Sequence, residues 1–170
     1  MKKLHQTGVI MIVCMVLISC SITYKFNGAS IDYTKVHSIS IKDFPNMAPL
    51  IYPPLEQKFT EELKDKYTRQ TKLQILRENG DLDLEGEITN YVFMPQAVKE
   101  DAYASQTRLS ITVRVRYTNN TNPDEDFEQS FTAYQDFSNN NTIEQVQDEL
   151  SQLIVEEIVD QIFNQTVANW

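Results

Sequence analysis

Arg108-Leu109-Ser110-Ile111-Thr112-Val113-Arg114-Val115-Arg116-Tyr117 reads as a β-strand by strict alternation. Leu109, Ile111, Val113, Val115 and Tyr117 hold one parity, and Arg108, Ser110, Thr112, Arg114 and Arg116 the other. That is the period of a strand with one buried face and one wet face. Such a strand needs neighbours that alternate likewise, and the flanking sequence supplies them. Downstream, Asn119-Asn120-Thr121-Asn122-Pro123-Asp124 makes a turn, and Phe127, Phe131, Ala133 and Phe137 mark another strand. Upstream, Leu82, Leu84, Ile88 and Val92 share one parity against Asp83, Glu85, Glu87 and Thr89, until Pro95 ends the run. The polar connector between these strands, Gln96 to Gln106, has no pattern that assigns it.

Two more strands precede these. Lys72-Leu73-Gln74-Ile75-Leu76 is short, and Asn79-Gly80 after it predicts a hairpin turn into the strand from Leu82. Val36 to Phe44 alternates as well, with His37, Ile39 and Ile41 opposite Ser38, Ser40 and Lys42, and Pro45 stops it. Between them, Pro53-Pro54 suits a helix start, because proline fixes the backbone angle and lacks an N–H that would go unpaired there. Leu55, Phe59, Leu63 and Tyr67 fall on one stripe of that helix, and Glu62 and Lys66 are spaced to pair on its outer side. At the other end, Thr142 with Gln145 spells a capping box. The helix it starts carries Ile143, Val146, Leu150, Leu153, Ile154, Ile158 and Ile162, and can run nearly to Trp170. The order β-α-β-β-β-β-α predicts an α+β sandwich: a four- to five-stranded, mostly antiparallel sheet covered on one face by two helices.

Residues 1–19 read as a lipoprotein signal peptide. Lys2 and Lys3 give a positive start, and Val9 to Ile18 an apolar core too short to favour a spanning helix, which needs roughly 20 apolar residues. Leu17-Ile18-Ser19-Cys20 closes it as a lipobox, with the Cys20 thiol placed to carry a diacylglycerol. Residues 20–34 are then a lipidated tether and 35–170 one α+β domain. No acidic cluster follows Cys20, which favours the periplasmic side of the outer membrane over export to the cell surface.

Cleavage leaves 151 of 170 residues, enough for one domain with a real core. The signal takes two basic residues, leaving 13 against 24 acidic ones, a balance of −11. That charge excludes nucleic acid, which demands basic surface, and leaves membrane attachment to the lipid. Cys14 leaves with the signal and Cys20 carries lipid, so neither a disulfide nor a thiolate ligand is expected in the domain. One histidine remains, His37, better suited to a core or edge position than to catalysis. The glycines left, Gly28, Gly80 and Gly86, make no phosphate-cradling loop. Counting leaves a paired-carboxylate hydrolase open, but Asp83, Glu85 and Glu87 read as a solvated sheet face. No catalytic residue, cofactor or metal is expected.

The basic stripe is the candidate site. Arg108, Arg114 and Arg116 on one strand face could hold phosphates or carboxylates of an anionic glycolipid by charge-assisted bonds. The simpler alternative pairs them across the sheet with Asp83, Glu85, Glu87 or Glu128. Lys99 could join only if its connector folds over that face. Tyr24, Phe26, Tyr52, Tyr91, Phe93 and Tyr103 sit near strand ends or loops, where interface anchors tend to lie, though most suit a core equally.

Over nearly its whole mature length the chain resembles the LptE family of lipopolysaccharide-assembly lipoproteins as found in Bacteroidota. The likeness rests on the order of several blocks: Phe26-Asn27-Gly28-Ala29-Ser30-Ile31, Phe44-Pro45-Asn46, Phe59-Thr60-Glu61-Glu62-Leu63, Glu85-Gly86-Glu87-Ile88-Thr89, Phe127-Glu128-Gln129-Ser130-Phe131 and Asn169-Trp170. The resemblance implies a plug-like partner of the LptD β-barrel that helps the barrel fold and contacts lipopolysaccharide during delivery. It carries no lipid-contacting residue onto this sequence. The alternative function is a periplasmic lipoprotein module that activates a cell-wall enzyme.

Overall fold

Alternation along five segments builds one mixed sheet, and two apolar helix stripes close it. The structure, a computed structural model, describes residues 31–96 and 105–167. The signal segment, Cys20, tether residues 20–30, Lys99, Tyr103 and Trp170 lie outside the described residues. The elements are β1 (Ser38–Ile41), α1 (Pro54–Gln70), β2 (Gln74–Leu76), β3 (Leu82–Pro95), β4 (Gln106–Asn119), β5 (Phe127–Ser138) and α2 (Ile143–Thr166). The strands lie in the order β2-β1-β3-β4-β5. The long pairings, β3 with β4 and β4 with β5, are antiparallel; β1 pairs in parallel with both β2 and β3.

Strand β4 is central, and Leu109, Ile111, Val113, Val115 and Tyr117 are all buried as its alternation requires. Leu55, Phe59, Leu63 and Tyr67 of α1 are fully buried against the sheet, as are Ile154, Ile158 and Ile162 of α2. The helices also lock to each other. The Tyr67 ring meets Phe163 edge-on at 5.2 Å, its hydroxyl bonds the Thr166 hydroxyl, and Lys66 Nζ lies 2.7 Å from Asp160. The start of α2 is held by Gln145, whose Oε1 accepts the Thr142 N–H at 2.9 Å.

Four expectations are corrected. The Asn79-Gly80 turn exists, with Asn79 at φ 57°, but no β2–β3 hairpin forms because β1 lies between the two strands. Gly80 lets the chain cross β1: a Cβ there would meet the backbone of Ser40 at 2.5 Å and of Ile39 at 2.8 Å. Val92 leaves the core face. A register shift between Ile88 and Asn90 reverses the parity, so that Tyr91 is buried opposite Ile111 while Val92 lies opposite Ser110. Glu62 pairs with Arg69 rather than Lys66, whose ammonium is drawn to Asp160 on α2. Leu153 and Ile143 are exposed, at 44% and 37%, because the buried stripe of α2 lies to one side of them.

Asp81 joins the two ends of the parallel β1–β3 pair. Its Oδ2 accepts the N–H groups of His37 and Ser38 at 2.8 and 3.1 Å and the Ser38 hydroxyl at 3.0 Å. The bond from the His37 amide, reinforced by Ser38, holds this carboxyl below the usual carboxylate range against the opposing effect of burial. A depressed carboxyl adds stability that is present above the ordinary carboxylate pKa and is lost as pH falls through the folded-state value. Asp81→Ala should therefore cost about 1 kcal/mol at neutral pH after allowance for solvent screening. The gap from the parent should close below about pH 4. Urea unfolding at pH 7 and pH 3 checks this, and an equal gap at both values would remove Asp81 from the account.

Candidate functional site: the open sheet face

Both helices cover the same side of the sheet, so the arginine parity of β4 faces outward between β3 and β5. Register decides what each guanidinium meets. Arg116 lies opposite Glu85 on β3 and Glu128 on β5, Arg114 opposite Glu87, and Arg108 opposite Asp136. Arg116 donates to Glu128 Oε2 through Nε at 3.1 Å and a terminal nitrogen at 3.0 Å, and to Glu85 at 3.2 Å. Arg114 bonds Glu87. Arg108 grips Asp136 through two bonds, at 2.7 and 2.8 Å, and its guanidinium carbon lies 3.6 Å from the centre of the Tyr134 ring.

Lys42, at the end of β1, completes the row with its Nζ 2.6 Å from Glu85. That bond, with help from Arg116, holds the Glu85 carboxyl below its ordinary value although partial burial opposes it. The bidentate Arg108 likewise lowers Asp136, and both arginines are raised by their carboxylate partners. Lys42, Glu85, Glu87, Arg114, Arg116 and Glu128 together line an open depression of about 410 Å³. Its floor is cut close by Gly86, where a Cβ would collide with the Arg114 carbonyl and reach within 2.6 Å of the Phe44 ring.

The structure thus brings Arg108, Arg114 and Arg116 onto one face and gives each a carboxylate. Of the partners expected from sequence, Glu85, Glu87 and Glu128 take part, whereas Asp83 bonds Asn120 at 2.7 Å and the Ser40 hydroxyl. Asp136 and Tyr134 were missed as partners of Arg108, and Lys42 as a member of the row. One signal was available: in an antiparallel pair, placing Glu128 opposite Arg116 forces Asp136 opposite Arg108.

A second feature lies on the loop before α1, where Met47, Leu50 and Ile51 are exposed at 65%, 49% and 66%. Beside it Tyr52 stacks on Tyr91 at 5.8 Å and donates to Asp148 at 2.5 Å. Burial, then the Asp148 bond, pushes the Tyr52 phenol up to about 12.

The family model described as LptE, lipopolysaccharide-assembly, matches residues 36–166. The chain belongs to the LptE family. No curated protein matches it. Among solved structures, this LptE-family chain is similar in fold to a minor lipoprotein from Acinetobacter baumannii, at 16% identity and TM-score 0.52, over 78% of this chain and 94% of that one. It is similar also to lipoprotein B from Nitrosomonas europaea, at 13% identity and TM-score 0.50, over 78% and 83%. PelC from Paraburkholderia phytofirmans, a dodecamer, shares the fold at 9% identity and TM-score 0.50, over 84% and 96%. At such identities the likeness concerns the fold alone. Among the described residues of this LptE-family protein, no helix is long and apolar enough to cross a membrane.

Proposed function

We propose that this protein is an outer-membrane lipoprotein, tethered on the periplasmic side through lipid on Cys20, that acts as a non-catalytic assembly partner and plug of an LptD-like β-barrel in lipopolysaccharide transport to the outer leaflet. The observation that carries the reading is the family match over residues 36–166. The lipobox at Leu17-Ile18-Ser19-Cys20 supports the tether. Exposed Met47, Leu50 and Ile51 offer apolar contact to a protein partner. Affinity purification of the full chain from native outer membranes should recover a large β-barrel, and depletion should lower surface lipopolysaccharide staining. Unchanged surface lipopolysaccharide together with a peptidoglycan defect would overturn this reading in favour of a module that activates a cell-wall enzyme.

The reading extends to the open face. Arg108, Arg114 and Arg116 would meet an anionic glycolipid by exchanging carboxylate for phosphate, because a phosphate accepts the same forked donors. The exchange must displace Glu87, Glu128 and Asp136, so binding through this face would be weak and sensitive to salt. Arg114→Glu with Arg116→Glu should reduce lipopolysaccharide binding at least about tenfold while the fold persists, since both substitutions lie on a solvated sheet face. Binding unchanged by the pair, measured on lipopolysaccharide micelles, would leave the stripe a structural one.

A further inference from the structure

Another cavity, of about 340 Å³, lies at the end of the sheet where β4 turns toward β5. Val36, Leu82 and the Tyr117 ring give it apolar wall, Lys35, Asn119 and Glu125 give it polar wall, and Thr166 borders it at the end of α2. Tyr117 belongs to the buried parity of β4, and the cavity shares no residue with the arginine depression.

Tyr117 is 3% exposed, with its ring stacked on Phe127 at 5.3 Å. A hydroxyl buried so deeply normally finds a partner. Those of Tyr67 and Tyr91 do, on Thr166 and Ser151. The Tyr117 hydroxyl has none among the described residues. Nor is it sealed in, since the one described side-chain nitrogen or oxygen that lacks both a partner and an opening is Asn46 Nδ2. The hydroxyl therefore opens onto the cavity its side chain lines, with its donor and acceptor capacity unused.

The charge around that opening is negative. Asp124, Glu125 and Asp126 follow one another in the turn after β4. Both Glu125 oxygens are held by amides, from Asn119 at 2.7 Å and Asn122 at 2.8 Å, and Asp126 accepts the Asn119 N–H at 2.7 Å. Such bonds aim a carboxylate without neutralising it. No lysine or arginine among the described residues pairs with any of the three. Lys35, the cation of the cavity wall, lies 3.7 Å from Asp32 instead. The uncompensated charge reaches the hydroxyl: burial first, then Glu125 and Asp126, push the Tyr117 phenol up and keep it protonated. Phosphate and carboxylate are repelled here, and a cation is favoured.

We propose that this cavity binds an ammonium or guanidinium group carried on an aliphatic stem, the head held by Glu125 and the Tyr117 oxygen and the stem lying against Val36 and Leu82. Each part of the wall has its counterpart in such a ligand. The cationic head supplies N–H donors to an aimed carboxylate and to the unpartnered hydroxyl oxygen, and bonds of that kind are the stronger ones. The methylenes cover apolar wall, as lysine and arginine stems do elsewhere. This chemistry is common to a basic side chain on a partner protein and to a free alkylamine.

The test titrates the full-length chain in neutral detergent with Nα-acetyl-lysine amide, Nα-acetyl-arginine amide and the uncharged, side-chain-acetylated lysine, read by saturation-transfer NMR. Both cations should bind, and the acetylated lysine at least about tenfold more weakly. Glu125→Gln should weaken cation binding at least about tenfold. Asp124→Asn removes an equal charge one residue away, outside the cavity wall, and should change binding by no more than about twofold. Tyr117→Phe should weaken binding about tenfold while the melting temperature holds, because the hydroxyl it removes bonds nothing in the free protein. If Glu125→Gln loosens its turn, Tyr117→Phe decides alone. A lysine-containing pentapeptide that binds more tightly than n-butylammonium supports a partner's side chain as the occupant, and the reverse order supports a free amine. No binding of either cation, equal binding of charged and acetylated lysine, equal losses in Glu125→Gln and Asp124→Asn, or a Tyr117→Phe chain that melts well below the parent would overturn the site.

Discussion

Phe59→Ala is expected to cost about 3–5 kcal/mol, the range for removing a fully buried aromatic side chain from a packed core. Phe59 is wholly inaccessible on the sheet side of α1, its ring 5.0 Å from that of Phe44 at an interplanar angle of 54°. The loss would not stop there. Phe44 is itself held over Gly86 and donates its N–H to the Thr60 hydroxyl at 3.2 Å, so the void would loosen the loop that joins β1 to α1. Against a total stability of about 5–15 kcal/mol such a loss is a large fraction. At about 2–4 °C per kcal/mol the melting temperature should fall by roughly 6–20 °C. Phe59→Leu, which keeps most of the apolar contact, should cost about 1 kcal/mol. Urea denaturation of both variants checks the ordering; a loss below about 1 kcal/mol for the alanine variant would mean that α1 is not the lid this packing describes.

Cys20→Ser should abolish incorporation of a clickable fatty acid, because the hydroxyl cannot take the thioether-linked diacylglycerol and no other residue of the lipobox carries a thiol. The effect on membrane attachment is large. Each buried methylene adds about 0.8 kcal/mol, and the acidic domain supplies no charge attraction to anionic lipid that would replace it. The variant should also retain residues 1–19 and migrate more slowly in electrophoresis, since processing of a lipobox awaits its lipid. Undiminished fatty-acid labelling of Cys20→Ser would remove the tether on which the outer-membrane assignment rests.

Most of the fold was legible in the chain, for a local reason. Burial on one side of a segment leaves its period in that segment, so β4 and the stripes of both helices could be read without knowing their neighbours. The same reasoning placed the arginines on one face and put Glu85, Glu87 and Glu128 within their reach. It failed where two distant segments had to be chosen for each other. The Asn79-Gly80 signal reports a turn and nothing about β1, whose place between β2 and β3 depends on a parallel register and on the close approach at Gly80. The bulge near Thr89 changes parity within one strand, so extending the pattern of Leu84 and Ile88 put Val92 on the wrong face.

What the sequence determined by itself was the set of elements, the buried face of most of them and the membership of three arginines in one outward row. Tertiary structure alone decided which strands lie side by side, that Asp83 bonds Asn120 and Ser40 rather than an arginine, and that β5 is the outermost strand on its side of the sheet. The difference is physical: apolar periodicity is a property of one segment against its surroundings, whereas register and strand order are set by long-range contacts between segments that each look the same whichever neighbour they find.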